Sequence, residues 1–221
     1  MILLLIKLSL SNIIKNKESA KELVMSSLKM YNFSPSVRGK RLPEGFCVVR
    51  YKGEEDIKDW IDICSEGLID PLTARERFTC ELITADGPDP LRDTFFIEHN
   101  GERVATYTVV PDMWSTGMGY IHMVAVKEKC RGMGLGSFIA DDSLKKLREM
   151  GKEKIFLLTG DARLAALRTY INAGFLPVNY IDDEGKDMTE RWQKVVNNLG
   201  LPSLMLLDDD GHEMYEIKNT L

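Results

Sequence analysis

The stretch that most restricts the fold is Arg131-Gly132-Met133-Gly134-Leu135-Gly136, set between an apolar run and an amphipathic one. Ahead of it, Tyr120 to Val126 is a near-continuous apolar segment suited to the centre of a sheet. Behind it, Ala140, Leu144, Leu147 and Met150 recur at helical spacing over about Ser137 to Met150, and Gly151 stands where a C′ glycine belongs. Strand, glycine loop and helix in that order require a sharp turn with positive φ, and they leave the first helical amides without carbonyl partners. Those amides and the helix dipole form an anion site suited to a pyrophosphate. The plainer alternative is a glycine-rich turn with no ligand, and three glycines at alternate positions beside an arginine count against it.

The flanking pattern mixes strands and helices. Phe46–Tyr51 reads as a strand, Glu54–Gly67 as an amphipathic helix on Ile57, Trp60, Ile61 and Cys64, and Thr73–Ile83 as a second helix. Thr94–His99 and Arg103–Val110 flank Asn100-Gly101, a strong hairpin signal. Lys154–Thr159 follows as a strand, then a helix capped by Asp161 or its neighbour and ended by Gly174, then a strand over Phe175–Ile181. The chain closes with a helix over 184–199 and a hairpin over 203–218 turning on Asp208–Gly211. Ahead of all this, Ala20, Leu23, Val24, Ser27, Leu28 and Tyr31 predict a helix near 17–31, and Asn32–Pro43 a linker. The expected class is α/β or α+β with a hairpin-bearing mixed sheet. Residues 1–42 are an N-terminal extension and linker, and 43–221 the main domain.

Composition excludes several functions. Of 221 residues, 44% are hydrophobic, enough for a core and too many for disorder. Lys plus Arg number 29 against 34 Asp plus Glu, so the net charge is −5 and no broad basic face for nucleic acid is expected. Cys47, Cys64, Cys80 and Cys130 are widely spaced and read as reduced, mostly buried thiols. His99, His122 and His212 form no zinc spacing, and Asp208-Asp209-Asp210 lacks the pattern of a calcium loop, so no metal is expected. The apolar run Met1–Ile6 is interrupted by Lys7, too short for a secretory or spanning segment. A soluble cytoplasmic protein away from membranes is expected, with residues 1–31 a candidate contact for a homodimer.

Spacing narrows the phosphate compound. A dinucleotide fingerprint would need its third glycine at Ser137 or Ile139, and a P-loop would need Lys after Gly136; both fail. Arg-x-x-Gly-x-Gly, as Arg131, Gly134 and Gly136 after Met123-Val124-Ala125-Val126, resembles the acyl-CoA-binding signature of the GNAT family of N-acetyltransferases. A second stretch, Arg163 to Phe175, resembles that family's later helix ending in Tyr-x-x-x-Gly-Phe, with Tyr170 and Gly174 in place. The resemblance covers about 46–182, leaving the C-terminal helix and hairpin over 184–221 beyond it.

It implies the GNAT acyl-CoA N-acyltransferase fold, with acetyl-CoA as co-substrate. Pantetheine would lie beside the 120–126 strand on backbone groups of Val124, Ala125 and Val126, with an amide near Met123 or Val124 polarising the thioester carbonyl. The phosphates would sit on amides of Arg131, Gly132, Met133, Gly134, Leu135, Gly136 and Ser137. The Arg131 side chain either adds charge there or faces solvent. Arg163 stands where the family often has Asn, which alters any coenzyme contact from that position.

Tyr170 takes the general-acid position, or else is a core tyrosine bonded to backbone. A phenol near ≈10 and a thiol near ≈8.5 are nearly balanced for proton transfer. His122 is the candidate base on the right strand, or else a structural histidine. Glu98, His99, Asp112 and Glu128 are weaker candidates. The expected activity is acetylation of a primary amine on a small molecule. A CoA-binding module without turnover and a peptide or protein N-acetyltransferase are the alternatives.

Overall fold

The computed structural model describes residues 27–182 and 185–221. Its strands are β1 (Leu28–Asn32), β2 (Phe46–Arg50), β3 (Thr94–His99), β4 (Glu102–Val110), β5 (Gly119–Val126), β6 (Ile155–Thr159), β7 (Leu176–Pro177), β8 (Ser203–Leu207) and β9 (Glu213–Lys218). The helices are α1 (Ile57–Ser65), α2 (Ala74–Phe78), α3 (Pro90–Asp93), α4 (Leu135–Glu149), α5 (Leu164–Asn172) and α6 (Thr189–Leu199). Seven strands form one mixed sheet in the order β2-β3-β4-β5-β6-β1-β7, and β8 and β9 form a separate pair. The chain divides into two compact units. One comprises Met30–Leu157 with Arg163–Leu176, and the other Met1–Lys29, Leu158–Ala162 and Pro177–Leu221.

The first of these units carries the glycine loop. Its antiparallel β2–β3–β4–β5 run is pinned by the turn at Asn100 and Gly101, both with positive φ (51° and 78°), the conformation a two-residue hairpin needs. Against it, α1 buries Ile57, Trp60, Ile63 and Cys64 from one face. Trp60 meets Phe78 of α2 edge-on at 5.0 Å, and the same cluster takes in Phe96 of β3 and Met123 and Ala125 of β5. Gly119 sits close enough to Leu147 of α4 that a Cβ there would fall 2.9 Å from its side chain. Gly151 ends α4 with φ 78°.

In the second unit, α6 buries Trp192, Val195, Val196 and Leu199. Trp192 donates its indole N–H to the Val178 carbonyl at 3.1 Å. Among the described residues, no helix is long and apolar enough to cross a membrane.

Several expectations change. The helix expected near 17–31 does not extend to its end: Leu28–Asn32 is a strand, where Leu28, Met30 and Tyr31 are all buried, and positions 1–26 lie outside the described residues. The strand expected over Phe175–Ile181 shrinks to Leu176–Pro177, followed by isolated bridges at Val178 and Ile181. Pro177 has no N–H to extend a ladder. Asp161 does not cap α5; its carboxylate takes Arg191 at 2.8 Å, and Arg163 occupies the N-cap with no side-chain bond. The helix expected over 184–199 begins at Thr189. Cys64 and Cys130 are buried as expected, while Cys47 is exposed.

Candidate active site

The site begins with an irregularity in β5. Thr106 of β4 faces Ala125 and Thr108 faces His122, so Tyr107 stands opposite both Met123 and Val124: a β-bulge. Met123 adopts φ 48°, a left-handed conformation that a non-glycine residue keeps only where its surroundings hold it. The surroundings here are the α1–α2 apolar cluster, in which Met123 is 9% exposed. The extra residue shifts the strand's alternation, so His122 ahead of the bulge and Ala125 behind it both face the α1–α2 side.

The β5–β6 ladder runs only from Gly119↔Ile155 to Ile121↔Leu157, so the rest of β5 has no ladder partner on that side. The Lys127 amide donates to the Val104 carbonyl at 2.8 Å, toward β4. By alternation Ala125 also turns its backbone to β4, whereas Val124 and Val126 turn theirs to the free edge. The Val126 carbonyl there accepts Arg131 Nε at 3.0 Å. The Val124 N–H and C=O and the Val126 N–H are thus the edge groups that could hold an extended ligand. Ala125, named with them from the sequence, points the other way.

The loop beyond is shaped as its glycines suggest. Gly132 and Gly134 take φ 79° and 84°, and a Cβ on either would meet nothing within 4 Å. The first α4 bond found runs from the Phe138 amide to the Gly134 carbonyl at 3.0 Å, so the amides of Leu135, Gly136 and Ser137 have no intrahelical acceptor. With the dipole of a 15-residue helix behind them, these groups fit a diphosphate. Gly136 lies against α5, where a Cβ would touch Thr169 at 3.8 Å, and Met133 is 48% exposed on the loop. The Arg131 amide is already bonded to the Glu128 carbonyl at 3.1 Å.

Neither arginine offers an unengaged charge. Arg131 donates to the carbonyls of Val126 and Glu66 and pairs with Glu128 at 3.2 Å. Arg163 donates to the Leu68 carbonyl at 3.0 Å. Both brace the segment that leaves α1.

Tyr170, on the buried face of α5, is 8% exposed and packs edge-on to Phe175 at 5.9 Å. Burial pushes its phenol up to about 12, with the Arg163 charge pulling the other way. Tyr120 is stacked between Phe156 (4.4 Å) and His122 (4.9 Å), with Trp114 tilted at 5.9 Å. Burial most of all, then the charges of Glu81 and Tyr170, oppose its ionisation, which sets both groups in its neighbourhood. His122, 5% exposed, meets the Tyr120 hydroxyl through Nδ1 at 3.1 Å. Its Nε2 lies 3.1 Å from Glu81 Oε2, close in distance but off the line of a hydrogen bond, so that nitrogen has no in-line partner. Arg77 grips the other Glu81 oxygen at 2.7 Å. Burial raises the Glu81 carboxyl, but the His122 bond and charge and Arg77 outweigh it and leave it below its ordinary value.

Tyr170 and His122, named separately from the sequence, thus gather around Tyr120. Glu81, Arg77 and Tyr120 were not anticipated. The Arg77–Glu81 spacing was visible, but α2 passes into a π-helical turn over Thr79–Ile83, and such a turn redirects side chains from the faces α-helical periodicity assigns. The weaker base candidates have other roles. His99 stacks on Phe46 at 4.2 Å, Asp112 accepts the Gly117 amide at 2.8 Å, Glu98 faces Cys47 across β2, and Glu128 pairs with Arg131. In the β8–β9 turn, Asp208, Asp210 and His212 bring one ligand atom each within 4.8 Å of one another. Asp208 there already accepts the turn amides of Gly211 (2.7 Å) and His212 (2.8 Å).

Comparison with known proteins follows this geometry. A GCN5-related N-acetyltransferase from Sphaerobacter thermophilus shares 18% identity at a TM-score of 0.50, over 68% of this chain and 48% of its own. A protein from Pyrococcus horikoshii OT3 shares 18% identity at a TM-score of 0.50, over 57% of this chain and 86% of its own. The chain therefore spans about half the length of the Sphaerobacter protein, and likenesses at this identity speak for the fold alone. No curated protein matched. The acetyltransferase (GNAT) family model matches residues 55–175, which takes in the bulged strand, the glycine loop and the Tyr170 helix, and the chain belongs to that family.

Proposed function

We propose that this chain transfers an acetyl group from acetyl-CoA directly to the primary amine of a small molecule, with Tyr170 as general acid and His122 as base. The observation that supports it most is a buried, proton-retaining tyrosine beside a bulged strand whose edge leads into the amide cradle. When bound, acetyl-CoA supplies an activated acyl carbon on a good leaving group. The amides of Leu135, Gly136 and Ser137 hold its diphosphate. Val124 and Val126 hold the extended arm along the free edge, and the Val124 N–H polarises the carbonyl.

Tyr170 keeps its proton throughout the neutral range and holds at its hydroxyl the proton that a departing thiolate needs. Its donor strength differs from the near balance expected from sequence. Against a thiol near ≈8.5, a phenol at about 12 leaves a gap of about 3.5 pH units, so donation must accompany C–S cleavage rather than precede it.

The test is thiol release from acetyl-CoA with a panel of amines, comparing wild type with Tyr170→Phe while coenzyme affinity is measured alongside. The expected result is a loss in kcat of about 10²-fold or more with affinity retained. Undiminished turnover in the variant would remove Tyr170 from the chemistry.

A further inference from the structure

His122 carries an anomaly. It is 5% exposed, and its Nε2 has no in-line hydrogen-bond partner although a carboxylate oxygen lies 3.1 Å away. A buried polar atom left unpaired costs stability and is retained for a reason. The other ring nitrogen is already engaged by the Tyr120 hydroxyl. The groups facing the ring are Glu81 and, behind it, Arg77 from the α2 side, Tyr120 from its own strand, and Tyr170 of α5 beyond Tyr120. Arg77 binds Glu81 Oε1 and leaves Oε2 turned to the imidazole.

We infer that Nε2 of His122 is the atom that takes the proton of the acceptor amine, and that Glu81 is the positioning residue that aims the ring and holds the imidazolium. This rests on the acetyl-transfer reading above. In the neutral ring Nδ1 carries the proton and donates it to Tyr120, and Nε2 presents its lone pair. As the amine nitrogen bonds the acyl carbon, its N–H bond breaks and the proton goes to Nε2. The new positive charge then faces the Glu81 anion, the arrangement in which a carboxylate supports a catalytic imidazolium. Between turnovers His122 loses this proton to water, and Tyr170 regains its own from water. The π-helical turn over Thr79–Ile83 is the device that presents Glu81, as such turns often do at functional sites.

The experiment follows the His122 ring by nitrogen NMR in the coenzyme-free protein, beside the pH dependence of kcat/KM. In wild type the neutral ring should show its proton on Nδ1 and a bare Nε2. Glu81→Gln should lower the ring's titration midpoint by about 1 pH unit, because the anion that favours the charged form is gone. The acid limb of kcat/KM should move down by the same amount while its plateau falls about 10²-fold, with Glu81→Asp recovering part of both.

A proton on Nε2 in the neutral ring, or a midpoint that does not move in Glu81→Gln, overturns the inference. So does a midpoint that moves without the kinetic limb. A merely structural Glu81 would lower thermal stability and leave the midpoint in place. If Glu81→Gln does not fold, Glu81→Asp carries the same comparison. Absence of wild-type thiol release with every amine would instead overturn the acetyl-transfer reading, and the ring titration would still decide whether Glu81 governs His122.

Discussion

Gly134→Ala separates the conformational demand of the loop from its chemistry. Gly134 sits at φ 84° and ψ 0°, immediately ahead of α4, with open space where a Cβ would go. Alanine in the left-handed region costs roughly 1–2 kcal/mol. In the free protein the loop can shed that cost by rotating out of this conformation, which scatters the Leu135, Gly136 and Ser137 amides. Binding must then restore it, so CoA affinity should fall by roughly 5–30-fold, at about 1.4 kcal/mol per factor of ten. A Cβ intruding on the phosphate side adds to this.

Gly151→Ala is the matched control: φ is 78°, a Cβ there also meets nothing within 4 Å, and it lies past the far end of the same helix. Calorimetric titration with CoA and thermal melts on both variants provide the assay. Both should melt lower than wild type, and only Gly134→Ala should lose affinity. Equal affinity in the two variants would refute the assignment of the loop as the diphosphate cradle.

Two further outcomes follow from side-chain roles. Arg131→Ala should lower the melting temperature by freeing the chain behind α1, yet leave the salt dependence of CoA binding unchanged, since its guanidinium is engaged with Val126, Glu66 and Glu128; a shallower salt slope measured by titration would contradict this. Asp161, held below its ordinary carboxyl value of 3.8 chiefly by its bond to Arg191, stabilises the fold above that pH and loses the contribution as pH falls through its lowered value, so Asp161→Asn should melt below wild type at pH 7 with the difference closing toward pH 3, and a difference unchanged across that range would deny the pairing its role.

The glycine loop and its helix were legible because each depends on local chemistry: positive φ at fixed positions, and an apolar stripe with a glycine stop at Gly151. Tyr170 was legible through the motif around it. The bulge at Met123 was not, since two residues facing Tyr107 is a property of the pairing between strands, and β5 reads as an unbroken apolar run. That single slip changes which backbone groups reach the free edge, and it accounts for the misplacement of Ala125. Arg131 was assigned to a ligand by its place in a motif, but the carbonyls it satisfies belong to a segment some sixty positions earlier, which no local pattern reveals. Glu81 was hidden for a related reason. Its neighbours predict a helix correctly, and the π-helical winding that turns it to His122 leaves no periodic trace.

The early end of the β5–β6 ladder also bears on how the protein keeps itself from self-association. Interior strands are normally shielded on both sides, and a backbone edge left open is a template for another chain. A coenzyme lying along Val124 and Val126 would close that edge as a surrogate strand. The same molecule that feeds the reaction would thereby act as a folding guardian, and the empty protein should be the form most prone to aggregate on heating.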